Sequence, residues 1–90
     1  MGLSWNDTKR DRVRAERGLD FADADLFFDG RPVVTEPSSR GGEERWRSTA
    51  IVSGRFVTLV WTQREDNLHV ITMRRAHAKE ERQYRQLHVR

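Results

Sequence analysis

The sequence predicts an α+β fold, in which helices cover one face of a curved antiparallel sheet of four to five strands and leave the other face open. Between residues 32 and 74, four segments of strand composition follow one another with only short loops or turns between them. Strands joined in this way pair as antiparallel neighbours. After Ala76, the apolar period changes from that of a strand to that of a helix. The expected order is β-α-α-β-β-β-β-α, in a single domain over residues 1–90.

The first predicted elements are a short strand and a capped helix. The strand is Leu3-Ser4-Trp5. Asn6 or Asp7 caps the helix that follows, because their side chains accept hydrogen bonds from the free N–H groups of a first helical turn. This helix continues to about Glu16, and Gly18 ends it.

A second helix is predicted to begin at Asp20, which caps it. Its apolar residues recur at helical spacing and are expected to form a buried side. They are Phe21, Ala24, Leu26 or Phe27, and Phe28. Asp29-Gly30 then breaks the chain.

Four strands are predicted to complete the sheet. Their bounds are Pro32–Glu36, Glu44–Ser53, Phe56–Gln63 and 68–74. A hairpin loop over residues 37–42, rich in serine and glycine, joins the first two. A tight turn at Gly54-Arg55 and a turn at residues 65–67 make the other connections.

The last strand ends in paired arginines, Arg74 and Arg75, and leads into a helix over residues 77–87. The strand period is expected to place Leu68, Val70 and Thr72 on one side and His69, Ile71 and Met73 on the other. The helix places Glu80 and Tyr84 on one face. Fixed cations beside a carboxylate and a phenol are suited to holding and attacking a phosphodiester, which makes RNA the first substrate to consider.

Charge is distributed unevenly along the chain. The formal net charge is +3, but residues 20–44 carry a local charge of −5 and residues 45–90 one of +6. Most of the seventeen cations are arginines, whose planar fork suits bidentate phosphate contacts. The absence of cysteine excludes disulfides and thiolate zinc sites, and no metal or other cofactor is expected. No stretch is long and apolar enough for a membrane span or a signal segment, so a cytoplasmic protein is expected.

Metal-independent RNA cleavage needs a base for the 2′-hydroxyl, cations for the phosphorane and an acid for the leaving oxygen. The candidate bases are Glu80, His69 and His77, and the candidate acids are Tyr84 or a histidine. The candidate cations are Arg45, Arg47, Arg64, Arg74 and Arg75. The competing interpretation is structural: arginines that pair with the acidic helix, a surface Glu80–Tyr84 pair, and a solvated or packed histidine.

Both ends of the chain resemble the BrnT family of type II toxin–antitoxin toxins. At the start, Trp5-Asn6-Asp7-Thr8-Lys9, Glu16-Arg17-Gly18 and Phe21-Ala22-Asp23-Ala24 match its opening pattern, and Gly42-Glu43-Glu44-Arg45 and Thr62-Gln63-Arg64 match its middle. At the end, Ile71 to Tyr84 matches its Ile-Ser-x-Arg-x-Ala-x-x-x-Glu-x-x-x-Tyr pattern. The chain departs from the family at four positions. These are Asn6, Val13, Arg17 and His69, where the family has Asp, Asn, His and Arg.

The resemblance implies a RelE-like fold and an endoribonuclease that inhibits translation, dependent on or independent of the ribosome. It also implies a neutralising BrnA-like antitoxin with a ribbon-helix-helix domain, through which alone the complex reaches operator DNA. Cation clustering together with the motif spacing gives the candidate catalytic residues, which are Arg64, Arg74, Glu80, Tyr84 and His69. The candidate RNA-binding residues are Arg45, Arg47, Arg75, Lys9 and Arg17.

Three hypotheses follow for the function. In the first, the chain is an endoribonuclease toxin in which Glu80 acts as base and Tyr84 or His69 acts as acid or stabilises the leaving group. In the second, it is a catalytically inactive toxin homologue that binds the antitoxin as a co-repressor. The third is a stand-alone nucleic-acid binder, whose affinity falls steeply with salt. Growth arrest on expression without the antitoxin separates the first hypothesis from the second.

Overall fold

A computed structural model describes residues 2–38 and 42–89 of the protein. The elements follow the predicted order. They are β1 (Gly2–Ser4), α1 (Asp7–Arg17), a 3₁₀ helix (Phe21–Phe28), β2 (Val34–Pro37), β3 (Trp46–Val52), β4 (Arg55–Arg64), β5 (Asn67–Arg75) and α2 (Ala78–His88). Together they form an α+β fold around one open five-stranded sheet with the order β1-β5-β4-β3-β2. The predicted loop over residues 37–42 lies partly outside the described residues, which omit 39–41.

Local capping defines the two N-terminal helices as predicted. Asn6 accepts a hydrogen bond from the backbone N–H of Lys9 at 2.9 Å and caps α1. Gly18 ends α1 with a φ of 68°, in the left-handed region that glycine adopts without a steric penalty. Asp20 accepts from the backbone N–H of Ala22 and begins the next helix, which is of the tighter 3₁₀ type.

The sheet is mixed, which corrects the prediction of an antiparallel one. β2 to β5 form the expected antiparallel meander. β1 instead pairs in parallel with β5, with Ser4 opposite His69. A parallel pair needs a crossover connection, and α1, the 3₁₀ helix and three strands lie between β1 and β5 in the chain.

A bulge in β5 changes which residues share a face. Val60 pairs with Thr72 and Trp61 with Val70, so Ile71 is the extra residue between them. The side-chain alternation therefore resets at Ile71. Met73 joins Leu68 and Val70 in the buried core, and the prediction that it lies with His69 is wrong.

The core lies on one face of the sheet, and the opposite face is partly covered. α1 and the 3₁₀ helix pack their buried residues, Val13, Phe21 and Phe27 among them, into one cluster with the core-facing strand residues. α2 packs on the opposite face, where Tyr84 meets Phe56 edge-on at 5.4 Å. The prediction of an entirely open second face is wrong, because Glu80 and Tyr84 give α2 a side that fits this surface. No helix in the described part of the chain is long and apolar enough to cross a membrane.

Candidate functional site

Two adjoining depressions of about 350 and 420 Å³ lie on the face opposite the core. They share Lys9, Arg45 and Ile71, so they form one continuous surface. We call this surface the cationic groove. Its charged and titratable lining residues are Lys9, Arg12, Arg45, Arg47, Arg64, His69, Arg74 and His77.

Lys9 and Arg12 reach the groove from α1. They are three residues apart, which places them on one side of the helix. Arg17, at the end of α1, donates to the backbone carbonyl of Met73 at 2.9 Å and to the Thr72 hydroxyl at 3.4 Å. This contact fixes the end of α1 against β5. The helix therefore holds its cations against the groove as part of the folded framework.

Lys9 lies at the centre of this positive charge. Burial lowers the pKa of Lys9, and the nearby cations Arg12, Arg45 and Arg17 lower it further. Within residues 2–38 and 42–89, neither Lys9 nor Arg12 forms an ion pair with a carboxylate. Cations that converge without an ion pair of their own, as Lys9 and Arg12 do, favour the binding of an anion.

Arg45 and Arg64 are held by a shared carboxylate at the rim of the groove. Glu43 lies 3.6 Å from Arg45 Nη2 and 3.3 Å from Arg64 Nη2. Among residues 2–38 and 42–89, the Nε atoms of Arg45 and Arg47 are buried and have no hydrogen-bond partner. About a third of each side chain is exposed, and a ligand can reach the two arginines only through that exposed part.

Glu80 is buried beneath the groove, with 8% of its surface exposed. Arg74 donates to its two oxygens at 2.7 and 2.9 Å, the His77 backbone N–H at 2.8 Å and the Thr58 hydroxyl at 3.0 Å. Burial raises the pKa of Glu80, but these hydrogen bonds outweigh it and lower the pKa to about 2. A carboxylate that accepts four hydrogen bonds and has this pKa is a weak proton acceptor. Its two hydrogen bonds from Arg74 hold that side chain in place.

His69 is the titratable group best placed to move a proton in the groove. Its Nδ1 lies 2.9 Å from the Ser4 hydroxyl. Burial lowers the pKa of His69, and Arg64 and Lys9 lower it further, while Glu43 opposes them. The ring is therefore neutral at pH 7 and able to accept a proton.

Six of the predicted site residues line the groove, and the other four do not. The six are Lys9, Arg45, Arg47, Arg64, His69 and Arg74. Arg75 is exposed and pairs with Val57 on the core side. Tyr84 is buried against Phe56 and His88. Glu80 lies beneath the groove, and Arg17 is engaged with β5.

Arg12 is a groove residue that the candidate set omitted. The signal for it was local, because Arg12 follows Lys9 by three residues on a predicted helix. His77, a candidate base, lines the same depression as Arg74. In the described part of the chain, no three histidine or carboxylate side chains are grouped as a metal ion requires.

The chain matches a protein-family model. A family model described as "Ribonuclease toxin, BrnT, of type II toxin-antitoxin system" matches residues 5–80. No curated protein matches the chain. The matched segment contains every lining residue of the cationic groove and ends before Tyr84.

Proposed function

The chain belongs to the BrnT family of ribonuclease toxins of type II toxin–antitoxin systems, and from this premise we propose that it cleaves RNA in the cationic groove without a metal ion. One observation carries the proposal. Lys9, Arg12, Arg45, Arg64 and His69 line a single depression. This set combines phosphate-binding arginines, a neutral imidazole as base and a lysine of lowered pKa as acid, which are the groups that intramolecular cleavage of RNA requires.

In the proposed reaction, Nε2 of His69 takes the proton of a ribose 2′-hydroxyl. The 2′-oxygen attacks the adjacent phosphorus, and the bond from phosphorus to the 5′-oxygen breaks. Arg45 and Arg64 stabilise the additional negative charge of the phosphorane. Lys9, whose pKa is lowered, gives a proton to the leaving 5′-oxygen. The products are a 2′,3′-cyclic phosphate and a 5′-hydroxyl.

Arg74 and Arg47 extend the groove beyond this centre. Their side chains line the second depression, and Glu80 fixes Arg74 through two hydrogen bonds. Arg47 lies 3.8 Å from the same carboxylate. We assign these arginines to the phosphates that flank the scissile one, and Glu80 to positioning them rather than to proton transfer.

The test is incubation of the purified chain with a single-stranded RNA in EDTA, followed by mass spectrometry of the fragment ends. We expect fragments that end in a 2′,3′-cyclic phosphate, and no cleavage of the same sequence made as DNA. Intact RNA, including in the presence of ribosomes, would refute the proposal. Cleavage that leaves a 3′-hydroxyl would refute the mechanism, because the 2′-oxygen would not be the nucleophile.

The pH dependence of cleavage should report His69. A base must be neutral to act, and the pKa of His69 is lowered from 6.5. The cleavage rate should therefore stay constant down to below pH 6.5 and decrease only in more acidic solution. His69→Gln should abolish most activity, whereas His88→Gln, on the last turn of α2, should leave the profile unchanged. A rate that already halves near pH 7 would contradict this assignment.

Glu43 should limit RNA affinity. Its carboxylate lies where a phosphate would contact Arg45 and Arg64, at long distances of 3.6 and 3.3 Å. Glu43→Gln should tighten the binding of a non-cleavable 2′-O-methyl RNA by about three- to tenfold at low salt, since it removes the competing charge. Glu44→Gln changes net charge equally and serves as the control. Equal gains in RNA affinity in both variants would show a general effect of net charge. They would contradict competition between Glu43 and a phosphate for Arg45 and Arg64.

We also propose the partner and the consequence of cleavage. The cognate antitoxin is a BrnA-like ribbon-helix-helix protein that covers the groove, and cleavage of messenger RNA, free or on ribosomes, inhibits translation. The family's place in type II systems supports this proposal. Excess antitoxin should block cleavage by the purified chain, and the complex but not the chain alone should bind operator DNA.

The departures from the family pattern are the basis of the alternative, an inactive co-repressor. Three departures from the family pattern have structural explanations in this chain. Asn6 caps α1, Val13 is buried in the core, and Arg17 fixes α1 to β5. The fourth departure, His69, adds a proton acceptor to the groove.

A further inference from the structure

The shortest strand of the sheet has a specific contact at its end. β1 contains only Gly2–Ser4 and pairs in parallel with β5, in a register that sets Ser4 beside His69. The Ser4 hydroxyl oxygen lies 2.9 Å from His69 Nδ1, and the pair is partly buried. A residue from the start of the chain thus supports a groove residue that is 65 positions away.

The hydrogen bond determines which nitrogen of the ring carries a proton. A neutral imidazole has one N–H, and the partner of one nitrogen sets the state of the other. If Nδ1–H donates to the Ser4 oxygen, Nε2 keeps its lone pair and can accept a proton. If the serine donates instead, Nε2 carries the hydrogen and cannot act as a base.

The surroundings favour the neutral ring. Burial of the ring disfavours the imidazolium form most, Arg64 from β4 and Lys9 from α1 disfavour it further, and Glu43 favours it. Arg12 and Arg45 line the same depression and add further positive charge. With more cations than carboxylates facing it, the ring stays neutral at pH 7, so its tautomer decides what it can do.

We propose that Ser4 is a positioning residue, which accepts the Nδ1 proton of His69 and so presents the Nε2 lone pair to the 2′-hydroxyl of the RNA. This proposal rests on the proposed function, in which His69 is the base. It gives β1, the parallel strand at the edge of the sheet, a role in the site. The arrangement follows a general pattern in which a base is oriented by a third group.

The test compares Ser4→Ala with Ser4→Thr. Alanine should lower kcat by about five- to tenfold, in line with the loss of one orienting hydrogen bond, and leave KM unchanged. Threonine keeps the hydroxyl and suits a strand, so it should restore the parent kcat. In the parent protein, ¹⁵N NMR of the His69 ring should show a protonated Nδ1 and an unprotonated Nε2. In Ser4→Ala, the two neutral tautomers of the His69 ring should be more evenly populated.

The outcomes separate this inference from the proposed function. A protonated Nε2 in the parent protein would overturn the role of Ser4, whatever the activity. Parent kcat in Ser4→Ala, together with an inactive His69→Gln, would also overturn it while leaving His69 as the base. Parent kcat in both variants would refute the catalytic role of His69 itself. A KM increase that threonine does not rescue would indicate a purely structural contact.

Discussion

Arg74→Ala should lower the rate of RNA cleavage by about ten- to a hundredfold, the loss expected when a charge-assisted contact with a flanking phosphate is removed, whereas Arg75→Ala should leave it close to the parent rate. The two arginines are neighbours in sequence and equal in charge. Arg74 lines the groove beside Arg47. Arg75 is exposed and pairs with Val57, whose side chain is in the core. Comparison of the two variants therefore distinguishes the loss of a contact with RNA from a change in net charge.

A folding control and a third variant, Arg74→Lys, show whether a lower rate in Arg74→Ala reflects unfolding. Arg74→Ala leaves Glu80 buried without its main partner, so circular dichroism must first confirm that the variant is folded at the assay temperature. Arg74→Lys keeps the charge against Glu80 but loses the bidentate fork, and an intermediate rate is expected. Equal losses in Arg74→Ala and Arg75→Ala would contradict the placement of the RNA in the groove.

Glu80→Gln should lower the free energy of unfolding by about 2–3 kcal/mol at pH 7. The Glu80 side chain is only 8% exposed, and Arg74, His77 and Thr58 all donate to its carboxylate. Glutamine replaces an acceptor with an amide donor and leaves the Arg74 charge without its partner. Glu81→Gln is the matched control. Within the part of the chain that the structure describes, Glu81 pairs only with exposed Arg85 at i,i+4, which contributes about 0.5 kcal/mol or less.

The hydrogen bonds to the Glu80 carboxylate should make the stability of the fold depend on pH. The pKa of Glu80 is lowered from 4.5 to about 2 in the folded protein. A group with a lowered folded pKa stabilises the fold above its unfolded pKa, and this contribution is lost as the pH decreases. The difference in stability between the parent and Glu80→Gln should therefore shrink between pH 4.5 and about 2. Urea denaturation across this range measures it. A constant difference would show that the Glu80 charge does not stabilise the fold.

The parts of the fold that depend on neighbouring residues were predicted from the sequence. Asn6, Gly18 and Asp20 act within a few residues of their own positions, and all three cap helices as predicted. The antiparallel meander followed from short connections. The parallel pairing of β1 was not predictable in this way, because it joins strands that are far apart in the chain. The bulge at Ile71 likewise depends on the register between β4 and β5, which one sequence does not specify.

The limits of the site prediction have the same origin. Arg45 and Arg47 share a side by the two-residue period of a strand, and both line the groove. The sequence could not show which of Arg74 and Arg75 faces that side, because the bulge decides it. It also could not show that Glu80 is buried and saturated with hydrogen bonds, since its donors come from β4, β5 and the start of α2.

The most direct test of the central claim is NMR mapping of RNA on the ¹⁵N-labelled protein, with a 2′-O-methyl oligonucleotide that binds but cannot be cleaved. We expect the largest shift changes at Lys9, Arg45, His69 and Arg74, and little change at Arg75 or around Tyr84. That pattern would place the RNA in the cationic groove. Changes centred on the core side of the sheet or on the outer surface of α2, with the groove residues unmoved, would contradict it.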